Sequence, residues 1–195
     1  MNRALVQKAQ QGDHKALNEL LQHWYPKIYH FAKKYFADHD LAMEATQQCF
    51  VSVFKQIKKL KDPDSFRYWI YKIATNYCHN EERKLKKGKV FSIFRSEGKT
   101  QAAHMPSKAR HSNPEQSFQS EEMGELVQKA LKTIPDEQRV VLIMKEYEGL
   151  KFREIAEILK VSENTVKSRL YYGLKALKKT FEHWNIRKEA IYYEA

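Results

Sequence analysis

The stretch from Leu150 to Lys179, LKFREIAEILKVSENTVKSRLYYGLKALKK, limits what this chain can fold into more than any other. Phe152, Ile155, Ala156 and Leu159 recur at three- and four-residue spacing, the repeat of one helix face. The repeat breaks at Lys160-Val161-Ser162. Ser162 suits an N-cap, because its hydroxyl can accept from an amide in the open first turn of a following helix. A second apolar stripe then runs through Val166, Leu170, Leu174 and Leu177. Two helices joined by so tight a turn read as a helix-turn-helix. Burial of Val166 and Leu170 would present Glu163, Asn164, Lys167, Ser168 and Tyr171, side chains that reach base edges or phosphates in a major groove.

Charge placement separates this reading from an ordinary amphipathic pair with a solvated face. Lys160, Lys167, Arg169, Lys175, Lys178 and Lys179 stand against one acid, Glu163, while Glu146, Glu148, Glu154 and Glu157 precede them. A basic second helix on an acidic scaffold is what a backbone-binding surface requires.

The 195 residues allow one domain or two small ones, and 42% hydrophobic content suffices for helical cores. Six Gly and five Pro leave little for a turn-rich β protein, so an all-α chain is expected. The net charge of +11 points to a polyanionic partner or an anionic surface. No stretch has the length and apolarity of a signal peptide or a bilayer span, so a cytoplasmic protein without membrane insertion is expected. Cys49 and Cys78 lie in helical patterns without metal spacing and read as buried reduced thiols.

Taken in order, Leu17, Leu20, Leu21, Trp24, Ile28, Phe31, Ala32 and Tyr35 mark a long helix. Gly12-Asp13 forms a turn or cap before it, Pro26 is a candidate kink, and Ala37 to Asp40 a break after it. A second helix is predicted from about Leu41 to Leu60, with Phe50, Val51, Phe54 and Ile57 inward, then a polar loop from Lys58 to Ser65. A third begins near Phe66 and runs to Lys87, with Ile70, Ile73, Ala74 and Tyr77 in the core. Its aromatics and cations suit either a core or a surface that stacks unpaired bases, and Trp69 fits both.

Residues 1–87 therefore form one helical domain, and 88–120, where the repeat disappears, a flexible basic linker. Helices from Glu121 to Thr133 and from Pro135, at a favoured first-turn position, to Gly149 lead into the helix-turn-helix. Residues 121–182 are the second domain, and the tail 183–195 carries Trp184, Ile186, Ile191, Tyr192 and Tyr193, to cover the domain or await a partner. Net charges of +7, +3 and +1 for residues 1–87, 88–120 and 121–195 put most of the excess outside the helix-turn-helix. The first domain is thus expected to meet nucleic acid too.

Two motifs in this order resemble a known family. IPDEQRVVLIMKEYEGLKFREIAEILKVSENTVKSRL is similar to the fourth conserved region of bacterial RNA polymerase sigma factors of the extracytoplasmic-function (ECF) type. Phe50 after Gln47-Gln48, followed by SFRYWIYKIATNYCHNEERK, resembles their second conserved region. The resemblance implies a subunit that binds core RNA polymerase and directs promoter recognition, melting and transcription initiation. Core binding would use Glu44, Gln47, Gln48, Phe50 and Phe54. The melted non-template strand at the minus-ten element would meet Leu60, Lys61, Asp62, Ser65, Phe66, Arg67, Trp69, Lys72 and Asn76. The minus-thirty-five duplex would be read by Ser162, Asn164, Thr165, Lys167, Ser168, Arg169, Tyr171 and Tyr172. It also implies an anti-sigma factor as partner.

The chain departs from the family at Gln48, where an acid is usual, at Tyr172, where Arg is usual, and at Lys160, where Gly is common. The alternative is a stand-alone helix-turn-helix regulator binding duplex DNA without polymerase. An enzyme is disfavoured, since no metal-spaced carboxylates, phosphate-cradling glycine loop or nucleophile–base pattern occurs. No catalytic residue, cofactor or metal is expected.

Overall fold

Asp13 starts the first long helix as its position predicts, its carboxylate accepting from the amides of Lys15 and Ala16 at 2.9 and 3.1 Å. The computed structural model describes residues 3–95 and 114–186. Helix α1 (Arg3–Gln10), which the hydrophobic pattern did not announce, precedes that cap and buries Val6 and Ala9. Its last residue, Gln10, donates to the carbonyls of Ile57 and Leu60, fixing a distant turn. Helix α2 (His14–Phe36) continues through Pro26. It ends at Ala37, whose left-handed φ of 48° lets its amide reach the Lys33 carbonyl at 2.8 Å. Asp38 then caps α3 (His39–Gln56).

The inward stripe of α3 differs from the expectation. Ala42, Ala45, Thr46, Cys49, Ser52 and Val53 are buried, whereas Val51 and Phe54 are 45% and 59% exposed. Small side chains let α3 approach its neighbours closely, so the bulkier stripe is displaced to solvent. Ile57 is buried and Phe50 half-buried, as half of that expectation held. Two short turns of 3₁₀ helix, Ile57–Lys59 and Pro63–Ser65, order the segment read as a loop.

Helix α4 (Phe66–Arg95) buries Phe66, Ile70, Tyr71, Ala74, Thr75 and Cys78, with Ile73 and Tyr77 half-buried. It runs past Gly88, and α5 (Pro114–Thr133) begins before Glu121, so both ends of the expected linker are helical. Residues 96–113 lie outside the described part. Burial pushes the thiols of Cys49 and Cys78 up, keeping them protonated and inert.

The second half stacks four helices. Helix α6 (Asp136–Leu142) follows Pro135, which sits at the N-cap rather than inside the first turn. A π-turn, Ile143–Tyr147, and Gly149 at φ 61° redirect the chain into α7 (Phe152–Leu159). Lys160, at φ 55°, makes the sharp left-handed turn and Ser162 caps α8 (Glu163–His183). Val166 and Leu177 are buried, but Leu174 is 47% exposed. The close approach falls one residue earlier, at Gly173, where a Cβ would already touch Gln138 and Leu142 at 3.4 Å. Past α8, Trp184 packs edge-on to Phe181; Ile191, Tyr192 and Tyr193 lie outside the described residues.

The two halves meet. Arg139 of α6 is buried, donating to the Tyr35 carbonyl and to Asp136, both at 2.9 Å, and stacking over the Tyr35 ring. Asp136 also receives Lys86 of α4, at 2.5 Å.

Candidate nucleic-acid and polymerase interface

The N-terminus of α8 is set by hydroxyls. Ser162 accepts from the Thr165 amide at 3.0 Å, and Ser168 donates to the Thr165 carbonyl, also at 3.0 Å. Asn164, Lys167, Ser168, Tyr171 and Tyr172 are exposed along one side, and Thr165 is half-buried. Lys167 lies over the Phe152 ring, which holds its stem against the scaffold. Arg169 differs from these: it pairs with Glu137 and ties α8 to α6.

The minus-ten set is split. Leu60 closes a turn on Ile57, Asp62 accepts from the Asp64 amide, and Ser65 donates to the Asp62 carbonyl, leaving Lys61 and Asp62 exposed on an ordered corner. Phe66 does not face solvent. It is fully buried, 5.8 Å from the Trp24 ring and 5.8 Å from Trp69, because the first turn of α4 must seal the core below the loop. Arg67 donates to the Glu148 carbonyl at 2.7 Å and is committed to the other half. Trp69, Lys72 and Asn76 remain on one side of α4, the first two half-buried and the third exposed.

Sequence reasoning missed the polar seam beside them. Tyr68 donates to Glu154 at 2.8 Å, and Tyr71 donates to the Glu148 carboxylate. Burial, reinforced by Glu148, raises the Tyr71 pKa. Burial works against the Glu154 carboxylate, but the Lys151 amide and the Tyr68 hydroxyl outweigh it and hold its pKa below the ordinary value. Partners 77 and 86 residues apart leave no local sequence signal.

On α3, Glu44, Gln47, Gln48, Val51 and Phe54 form one exposed face. Phe50 borders it, half-buried and stacked on Tyr25 at 5.7 Å. Val51 was missed because it was assigned to the core. An apolar centre of Val51 and Phe54 with a polar rim is the composition of a protein-binding patch. Among the described residues no three metal-ligating side chains converge, and no helix is long and apolar enough to cross a membrane.

Two family models match the chain. Residues 20–88 match the Sigma-70 region 2 family and residues 124–177 match Sigma-70, region 4. The chain belongs to the sigma-70 family. It is similar to the ECF RNA polymerase sigma-E factor of Escherichia coli (strain K12), 27% identical over 184 residues, covering 90% of this chain and 92% of that protein. The factor of the same name from Haemophilus influenzae is 25% identical over 173 residues, covering 87% and 89%. The fold matches CnrH, solved with the cytosolic domain of CnrY, at TM-score 0.66 and 18% identity, covering 93% of this chain and 97% of that one. It also matches the sigma factor RpoE of Bartonella quintana, solved with the anti-sigma factor NepR, at TM-score 0.64 and 18% identity, covering 86% and 98%. The chain is thus an ECF-type sigma factor, directing promoter-specific transcription initiation.

Proposed function

We propose that the sigma factor divides its work among three helices. The α3 face of Glu44, Gln47, Gln48, Val51 and Phe54, with Phe50 at its edge, docks on core RNA polymerase. The corner from Leu60 to Ser65 and the Trp69, Lys72 and Asn76 side of α4 hold melted non-template bases of the minus-ten element, Trp69 by stacking. Asn164, Thr165, Lys167, Ser168, Tyr171 and Tyr172 of α8 read the minus-thirty-five duplex, while Ser162 and Arg169 position that helix. The sigma factor performs no catalysis of its own and works in the cytoplasm. An anti-sigma factor restrains it, a reading supported by the fold it shares with RpoE of Bartonella quintana, solved with the anti-sigma factor NepR.

Elementary lengths require the halves to part on the promoter. The two elements lie roughly 25 base pairs apart, about 85 Å at about 3.4 Å per pair. A globule of this chain length is only about 40 Å across. The polar seam of Arg67, Tyr68 and Tyr71 against Glu148 and Glu154 opens, together with the Arg139 to Tyr35 and Lys86 to Asp136 contacts.

The observation that carries the reading is the exposed apolar centre of α3 in the same chain as an uncovered recognition helix. Co-purification with core polymerase tests it. Phe54→Asp should weaken core binding about tenfold or more, an aromatic anchor being worth ~2 kcal/mol. Asn164→Ala should leave it unchanged. Absence of wild-type binding to core at micromolar concentration would overturn the proposal.

A further inference from the structure

The corner from Leu60 to Ser65 is held from outside by α1, a helix that the division of work above leaves without a task. Burial fixes the chain on either side of the corner, at Ile57 and at Phe66. Between those two no residue from 58 to 65 is fully buried, and Lys61, Asp62 and Asp64 are exposed. Apolar packing thus sets the ends of the segment, and hydrogen bonds set its course.

Some of these bonds are internal. The Leu60 amide closes on the Ile57 carbonyl, the Asp64 amide on the Asp62 carboxylate, and the Ser65 hydroxyl on the Asp62 carbonyl. The rest come from α1. The side-chain amide of Gln10 has two N–H donors, and it donates to the Ile57 carbonyl at 3.1 Å and to the Leu60 carbonyl at 2.6 Å. Arg3 pairs with Asp64 at 2.6 Å. These two ties differ in weight. Both side chains of the ion pair are more than half exposed, where solvent screens such a pair to little effect. Gln10 is half-buried, and its neighbour Ala9 is buried against the core, so the amide stands on a fixed base. It spans the 3₁₀ turn that leads into the corner, and loss of its donors would leave part-buried carbonyls without those partners.

Resting on the minus-ten role of that corner, we propose that Gln10 is a positioning residue for base selection. It acts through the backbone, fixing the carbonyls of Ile57 and Leu60 so that the tip at Lys61 and Asp62 keeps one shape. A corner already in its binding shape loses little freedom when it captures an unpaired base. It also resists remodelling around a wrong one, so the strut contributes to discrimination as well as affinity.

The test uses holoenzyme assembled from core and the full chain, on a promoter fragment recovered by the wild-type holoenzyme from a randomised library. Each minus-ten base of that fragment is then substituted in turn and the affinities compared. Gln10→Met keeps the side chain's length and removes both donors. It should lower the preference for the selected base by about tenfold at one or more minus-ten positions, the scale of one or two lost hydrogen bonds. Minus-thirty-five discrimination and core affinity should stay at wild-type values. Ile28→Val trims the buried core of the same half and touches none of these bonds, so it should lower the urea midpoint and keep the minus-ten preference. Wild-type preference in Gln10→Met overturns the proposal. Equal loss at both promoter elements overturns it too, as does equal loss in Ile28→Val, since either makes the effect one of general loosening. Loss of core affinity with the minus-ten preference intact also overturns it, assigning α1 to polymerase. Wild type that forms no promoter complex with core, or that shows no minus-ten preference, instead overturns the reading on which the role of Gln10 depends.

Discussion

Helices α8 and α4 both carry a polar, basic stripe, yet they are held in different ways. Helix α8 buries one side, through Val166, Gly173 and Leu177, and leaves Asn164, Lys167, Ser168, Tyr171 and Tyr172 open. Helix α4 has three sides. Phe66, Ile70, Ala74 and Cys78 enter the apolar core of its own half, Arg67, Tyr68 and Tyr71 meet the second half, and Trp69, Lys72 and Asn76 face outward. The chemistry of each side follows its permanence. The first is apolar, where burial of each large side chain contributes roughly 1.5–3 kcal/mol. The second is made of hydroxyls, a guanidinium and carboxylates, groups that water can replace when the seam parts, as expected of contacts between domains. A helix that reads DNA from its own domain needs one buried stripe; one that also braces a neighbour gives up a further third of its circumference.

The largest effect should come from Arg139, the buried cation that joins the halves. Arg139→Ala leaves Asp136 and Glu82 with Lys86 as their remaining cation and the Tyr35 carbonyl without its donor. Breaking a buried pair in this way costs about 3–5 kcal/mol, to be read as a lower urea midpoint. A loss of under about 1 kcal/mol would mean that the junction at Arg139 contributes little to stability.

Two smaller changes should part cleanly. On the proposal that Asn164 reads a base edge, Asn164→Ala should cost about 1–3 kcal/mol of minus-thirty-five discrimination, with unfolding unchanged. Tyr68→Phe removes one bond of the seam and should cost about 0.5–1.5 kcal/mol of stability, with minus-thirty-five binding unchanged. Competition binding with mismatched duplexes and urea unfolding on both variants give the four values. Should Tyr68→Phe also weaken minus-thirty-five binding, the seam and the reading face would be coupled.

The helix-turn-helix was legible because its information is local: a three–four apolar repeat, a break and a capping serine within thirty residues. The inward face of α3 was not, because a stripe of Ala42, Ala45, Cys49 and Val53 is outweighed by Phe50, Val51 and Phe54 when stripes are ranked by bulk. The core chooses by how closely helices can approach, and Val51 and Phe54 are left at the surface. The same reasoning put Leu174 inside, where the close packing belongs to Gly173. For the residues expected at the minus-ten element, the sides of the helix they occupy were not legible. Phe66 and Arg67 differ from Trp69 only in direction: Phe66 turns into the core of its own half against Trp24, and Arg67 turns to Glu148, 81 residues away.

The shallowest effect is one of pH, and it too belongs to α4. His79 lies under the second half, with its ring 6.0 Å from Tyr35 and its Nε2 buried without a hydrogen-bond partner. Burial lowers its pKa below the ordinary 6.5; Asp136 and Glu137 oppose that, while Arg169 and Arg139 reinforce it. The folded state therefore holds a neutral imidazole that the unfolded chain would protonate more readily. Its stability is at full value above about pH 6.5 and declines as pH falls from there toward the lowered folded value. Thermal melts from about pH 7.5 to about pH 5.5 should show that decline in the wild type. His79→Phe, which keeps a ring against Tyr35 and cannot titrate, should flatten it. Asn164→Ala should leave it as it is, since Asn164 is exposed and carries no titrating group. A decline of the same depth in His79→Phe would place the pH sensitivity elsewhere and remove this distinction between the two helices.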